Sequence, residues 1–219
     1  MILARHRHDR RAAGHSLIEV VIATILLAVV IGPVVMIAGS GQRAFQTSTM
    51  HGDLEVRGRR TLDRIVRELM SSTVGSMGTF PEWPSHEERL DFDQVVDVAE
   101  SDGTITWERV RIEFQYGPGE TNDGTDENEN GLIDDASIAL IRDPGVGAQA
   151  TTLCTFVREY LEGEIPNGLD DNGNGLVDER GLCFQRTGDT LTIHLTLERV
   201  DHDGDLATRT FETSILLRN

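Results

Sequence analysis

The chain has 219 residues and a formal net charge of −17, from 37 Asp and Glu against 20 basic residues, every one of them Arg. That length suits one domain of ordinary size plus an anchor, and so acidic a surface argues against nucleic acid as a partner and favours cations. Its two cysteines, Cys154 and Cys183, have neither the CxxC spacing nor the histidine company of a zinc site.

A basic leader comes first. Arg5, Arg7, Arg10 and Arg11 precede an apolar run, and after Glu19 no charge recurs until Arg43, so residues 20–42 are long enough to cross a bilayer as a helix. The positive flank is expected in the cytoplasm and the bulk of the chain outside it. A secretory signal has a shorter core, of about 7–15 residues, and is cut after it; here the expected cut lies before the core. Gly14-His15-Ser16-Leu17-Ile18-Glu19 resembles the type IV prepilin signature, in which a prepilin peptidase cuts after glycine and a glutamate stands fifth in the mature chain. On that resemblance Gly14 and His15 are the processing residues, residues 1–14 are a leader, and His15 becomes the N-terminus where the family usually carries phenylalanine. Removing the leader takes away four Arg and Asp9 and leaves the mature chain more acidic still.

Glu19 carries a physical argument of its own. A carboxylate at the end of a lipid-embedded helix is costly unless it is paired or reaches the interface. In a bundle of such helices a neighbour's free α-amino group can pair with it, and that group exists only after cleavage. The competing reading is a single-pass signal anchor whose acid snorkels to the headgroups.

Helical character is expected through residues 15–40 as the transmembrane part and 41–74 as an amphipathic continuation. Leu62, Ile65, Val66, Leu69 and Met70 recur at three- and four-residue steps, with Arg59, Arg60, Asp63, Arg64, Arg67 and Glu68 opposite. Pro33 lacks the amide that would bond Val29, so a kink or loosening is expected there; two helices broken around Ser40-Gly41 or Gly52 remain an alternative. Residues 71–85, with Gly75, Gly78, Pro81 and Pro84, read as a connector.

From Leu90 the period changes to two. Leu90, Phe92 and Val95-Val96 form a first strand, Ser101-Asp102-Gly103 a turn, and Ile105 to Tyr116 a second strand with a bulge expected between Trp107 and Val110. Residues 138–141 form a third strand, and residues 153–157 a fourth or a helix start. Leu191, Ile193, Leu195 and Leu197, a turn at Asp201 to Asp205, and Phe211, Ile215 and Leu217 make a closing hairpin. The expected class is α+β: a long N-terminal helix packed on an antiparallel sheet spanning residues 75–219. This order resembles the minor pilins and the minor pseudopilins of type II secretion, most of all the larger J-type and W-type subunits.

Two acidic segments, at 123–135 and 167–179, align without a gap. Asp126, Asn128, Asn130, Leu132 and Asp134 match Asp170, Asn172, Asn174, Leu176 and Asp178, with Gly131 and Gly175 at the sixth position. Side-chain oxygens at positions one, three and five, a glycine at six, a carbonyl at seven and a carboxylate at nine resemble a calcium loop of the EF-hand or thrombospondin type 3 kind. The bidentate glutamate at position twelve is missing, being Ser137 or Gly181, so Asp134 or Asp135 and Asp178 or Glu179 are expected to fill in. That implies up to two calcium ions, held with affinities of about 10⁻⁴–10⁻³ M as in extracellular modules. The apolar pairs Leu132-Ile133 and Leu176-Val177 are expected to be buried; the alternative is two solvated linkers. Asp201, Asp203 and Asp205 around Gly204 read as a turn rather than a third site.

Because the C-terminal part is expected outside the cytoplasm, Cys154 and Cys183 are expected to form a disulfide, worth roughly 3–4 kcal/mol for a loop of about 30 residues. No GxSxG, HExxH or phosphate-binding glycine loop occurs, so no enzyme is indicated. The expected function is a minor pilin or pseudopilin of a type IV pilus or type II secretion filament. It is expected in the bacterial inner membrane as a single-pass protein, its N-terminus cytoplasmic and its C-terminal domain periplasmic, from where it is extracted into the filament. Its partners are then the prepilin peptidase and other subunits, met through the N-terminal helix. The alternatives are a membrane-anchored calcium-dependent adhesion protein that keeps its leader, and an anchored hydrolase using paired acids.

Overall fold

The structure is a computed structural model that describes residues 16–72, 74–77, 87–145, 147–201 and 204–217. Gly14, His15 and the rest of the leader, Asp203, and Gly78, Pro81 and Pro84 of the connector lie outside the described residues. The chain divides into two units, Met1–Phe45 and Gln46–Asn219.

One helix, α1, runs Leu17–Leu69 and keeps its helical hydrogen bonding through Ser40, Gly41 and Gly52, with Pro33 inside it. Within the first unit every described residue is exposed, including Leu17, Val29, Val35 and Ile37. A helix that is apolar all round is suited to lipid or to other helices rather than to water, and this one is long and apolar enough to cross a membrane.

Within the second unit α1 becomes amphipathic. Met50, Leu54, Gly58, Thr61, Leu62, Ile65 and Leu69 are buried, a stripe at three- and four-residue steps that begins three turns before the expected one. Met70, assigned to that stripe by periodicity, is exposed, because the helix has already ended: Met70 N still bonds Val66 O, and both the amide and the hydroxyl of Ser72 bond Leu69 O. A short 3₁₀ turn follows at Val74–Ser76.

The sheet is antiparallel throughout: β1 Arg89–Val98, β2 Ile105–Tyr116, β3 Ala136–Arg142, β4 Gln149–Val157, β5 Leu182–Thr187, β6 Thr190–Val200 and β7 Leu206–Leu216. Strands β1 to β4 form a meander, and β4 meets β6 at Val157 opposite Leu197. Along β6, β5 pairs on the same edge as β4 and β7 pairs on the other. Just before β1, Glu87 pairs with Phe184 of β5, so the sheet curls back on itself. The architecture is α+β, one helix and one curled sheet sharing a core of Leu54, Ile65, Phe92, Ile112, Ile138, Phe184, Ile193 and Leu195. Each such side chain contributes about 1.5–3 kcal/mol on burial. Three ion pairs set α1 on the sheet: Asp53 with Arg199 (2.7 Å), Glu55 with Arg209 (3.2 Å) and Glu68 with Arg142 (2.9 Å).

Several local expectations change. The irregularity between β1 and β2 lies on β1, between Val95 and Asp97; Trp107 needs no bulge because it stands on the opposite face from Val110 and is half exposed. β5 went unrecognised, since Leu182-Cys183-Phe184 is a continuous apolar run without alternation. Asp201 and Asp205 are held together by the Asp205 amide on Asp201 Oδ1 and the Asp201 amide on Asp205 O.

The disulfide is not formed. Cys154 and Cys183 are both free and buried. Cys154 belongs to the core and contacts Thr61 of α1, whereas Cys183 lies between the core residues Leu182 and Phe184 and so stands on the other face of the sheet. They are also far apart along the β6 edge: Cys183 is opposite His194, while Cys154 lies three residues before Val157, which is opposite Leu197. That is roughly 20 Å of strand at about 3.3 Å per residue, against a Cα separation of about 4.4–6.8 Å that a disulfide needs. Burial pushes both thiols up. Unreduced protein is expected to show two reactive thiols in denaturant and almost none when folded; no reactive thiol in denaturant would restore the bridge.

A second prediction comes from Gly58, where an added Cβ would fall 2.2 Å from the Phe211 ring. Gly58→Ala should destabilise the second unit by about 1–3 kcal/mol, lowering its melting temperature by about 2–4 °C per kcal/mol. An unchanged melting temperature would contradict this packing.

Candidate functional site

Both acidic segments are long connections at strand ends, the first after β2 and the second after β4. Their necks are built alike. The Gly117 amide bonds Asp135 O at 2.9 Å, and 44 residues on the Leu161 amide bonds Glu179 O at 2.8 Å; the Glu120 amide bonds Gly117 O and the Glu164 amide bonds Leu161 O, both at 3.0 Å.

Inside each loop the side-chain oxygens hold the turn. The Asp126 carboxylate accepts the amides of Asn130 (3.1 Å) and Gly131 (2.8 Å), and Asp170 accepts those of Asn174 (3.2 Å) and Gly175 (2.8 Å). Asn128 Oδ1 and Asn172 Oδ1 take the amide two residues on, at 3.1 and 3.0 Å, and Asn130 Oδ1 and Asn174 Oδ1 take those of Leu132 and Leu176, at 2.8 Å each. Gly131 and Gly175 have φ of 89° and 88°, a left-handed conformation that the sharp turn requires and glycine permits. Most of these oxygens spend one lone pair on an amide and keep another for a ligand; Asp170 Oδ1 accepts two amides, those of Gly173 and Asn174.

The ninth position behaves differently from expectation. Asp134 and Asp178, at φ of 51° and 54°, fold back to cap the amides that open each loop: Gly124 on Asp134 (3.0 Å) and Gly168 on Asp178 (2.9 Å). The tenth position faces inward. Asp135 accepts from the side-chain amides of Asn128 (3.2 Å) and Asn130 (2.8 Å), and Glu179 from that of Asn174. Of the two apolar pairs only the first members are buried; Leu132 and Leu176 are covered, while Ile133 and Val177 are exposed, because the backbone turns between them.

Two residues outside the aligned segments belong to the sites: Glu120 and Glu164, both buried. Glu120 accepts the Asn128 amide at 2.9 Å and Glu164 the Asn172 amide at 3.0 Å. Burial raises both carboxyls above their usual range; Asp135, Glu127 and Asp126 add to this for Glu120, and Glu179 and Asp171 for Glu164, against the amide bonds that lower them. Glu127 is held at about 2, first by the Thr125 hydroxyl and then by the Thr121 amide. One oxygen each of Glu120, Glu127 and Asp134 lie within 4.8 Å of one another, close enough for a single cation. The signal was legible in principle: the 44-residue offset also matches Tyr116, Gly119 and Glu120 to Tyr160, Gly163 and Glu164.

One arginine joins the necks. Arg180 lies over the rings of Tyr160 (4.5 Å), Phe114 (5.7 Å) and Tyr116 (5.9 Å), and pairs with Glu159, which also accepts the Tyr116 hydroxyl at 3.0 Å. The donors throughout are oxygen, which suits a hard cation such as calcium and not zinc. Glu19, by contrast, stands in the first turn of α1, in the other unit.

Comparisons with protein-family models, with curated proteins and with solved structures find no match to this chain.

Arg180→Leu should cost about 3 kcal/mol, since it strands the largely buried Glu159 carboxylate. Thermal unfolding checks it: a fall of several degrees is expected, and a melting temperature equal to wild type would show that the arginine only decorates the surface.

Proposed function

We propose that the chain is a minor pilin or pseudopilin, cut by a prepilin peptidase after Gly14 and packed through α1 into a type IV pilus or type II secretion filament. Its two acidic loops bind calcium on the far side of the inner membrane. The observation that carries this reading is α1: an unbroken helix with an exposed, all-apolar start and a single early acid, whose later turns are buried under an antiparallel sheet.

An exposed apolar helix needs cover. Lipid supplies it before assembly, and the same helices of neighbouring subunits supply it in a filament, which exchanges one apolar surrounding for another. Glu19 then gives the exchange its specificity, because a carboxylate in that setting is stabilised by a cation and each processed neighbour brings an α-amino group.

The loops contribute rigidity. Residues 112–141 and 159–179 contain no basic side chain, so each empty loop repels itself and a divalent cation relieves it. Stabilisation follows RT ln(1 + [L]/Kd), about 1.4 kcal/mol per site at tenfold over Kd. Magnesium does less, since it holds its waters and demands a tighter octahedron.

Mass analysis of protein from the native membrane should find His15 at the N-terminus; a retained Met1 would leave the anchored adhesion protein as the better reading. Glu19→Leu should insert normally and fail to enter filaments, and normal incorporation would make the acid incidental. Asp126→Ala with Asp170→Ala should abolish a calcium-dependent rise in melting temperature, whereas a wild type that melts alike in millimolar calcium and in chelator would make the loops plain linkers.

A further inference from the structure

Each loop is one carboxylate short of a full cation shell, and a buried glutamate stands beside it. Glu120 and Glu164 lie six residues before Asp126 and Asp170 and are 6% and 2% exposed. Each ties itself to the third loop position by accepting its amide.

An unpartnered carboxylate oxygen in each loop is the second observation. Glu120 Oε2 is buried and has no hydrogen-bond partner among the described residues. The Glu120 side chain stands near the tenth-position acid, for a Cβ built on Gly117 would meet Glu120 Cγ at 3.3 Å and Asp135 Oδ2 at 3.5 Å. In the second loop the orphan is Glu179 Oε2, on a residue with no exposed surface, while Glu164 uses its second oxygen on the Asp178 amide at 3.2 Å. A buried carboxylate oxygen without a donor is costly, and two adjoining carboxylates are more so. Glu120 also has one oxygen within 4.8 Å of one oxygen each of Glu127 and the ninth-position Asp134, a grouping separate from its contact with Asp135.

We propose that Glu120 and Glu164 are cation ligands, each completing its loop's oxygen shell together with the acid at the tenth position, Asp135 or Glu179. This rests on the calcium reading of the loops. It accounts for the missing glutamate at position twelve: Ser137 already belongs to β3, and Gly181 lies so close to Arg158 O that a side chain there has no room. The acid reaches the ion from the chain before the loop instead of after it.

Calcium titration calorimetry on the full chain in detergent tests the assignment. Wild type should take up two calcium ions; Glu120→Gln and Glu164→Gln should each weaken one site by at least about tenfold, or 1.4 kcal/mol, and the double variant both. Glu162→Gln, an exposed acid that accepts the Thr210 hydroxyl, should bind like wild type. Melting separates a ligand from a mere capping residue. In chelator Glu120→Gln should melt at or above wild type, because a buried charge has been removed while the glutamine oxygen still accepts the Asn128 amide, and in calcium below it; a capping role alone would give no loss specific to calcium. If wild type binds calcium and the Gln variants bind it equally well, the ligand assignment is wrong and the loop reading stands. If wild type takes up no calcium, both fall.

Discussion

The surface of α1 makes two different demands along its length. From Met50 to Leu69 a single stripe is apolar, and the curled sheet covers it with Phe92, Phe184, Leu195 and Phe211. Gly58 shows how close that cover is, since no Cβ fits beneath the Phe211 ring. From Val20 to Ile37 the helix carries no charge, and every described residue of its unit is exposed. A sheet can shield a stripe but not a cylinder; a cylinder calls for lipid or for more helices.

The sheet's topology in turn places the acidic loops. β6 carries β7 along one edge and both β4 and β5 along the other, so β4 must end where β5 begins, at Val157 and Leu182. The chain between them has to leave the sheet and return to almost the same point, and the second loop does this with its neck closed by Leu161 and Glu179. The first loop makes the same excursion between β2 and β3. Arg180 packs on Tyr116 and Tyr160 at once, so one side chain holds both necks. Within the loops almost every inward group is a carboxylate or an amide oxygen, an arrangement that a bound cation would stabilise.

Much of this was legible in the residues. Period-two alternation located β1, β2, β6 and β7 within a few residues, and the loop repeat was visible as spacing, because turns built by Asx side chains depend on local sequence. What escaped was set by tertiary placement. β5 has no alternation because both its faces are covered, and Cys183 on it is as buried as Leu182. The disulfide failed for the same reason: two cysteines in one chain say nothing of which face of a sheet each occupies. Glu120 and Glu164 escape a reading of the loop spacing because they precede the turn, and an apolar pair such as Ile133 or Val177 with its leucine does not reveal in sequence that only the leucine is buried.

On the reading proposed above, the exposed start of α1 is covered by other helices of its own kind. Photocrosslinking from position 21 or 27 of the full chain in its native membrane, followed by mass identification of the adducts, tests this most directly. Adducts to the N-terminal helix of another subunit are expected, either this chain or one with the same glycine and glutamate signature, and their loss in Glu19→Leu. Adducts to lipid alone, unchanged by that substitution, would contradict it.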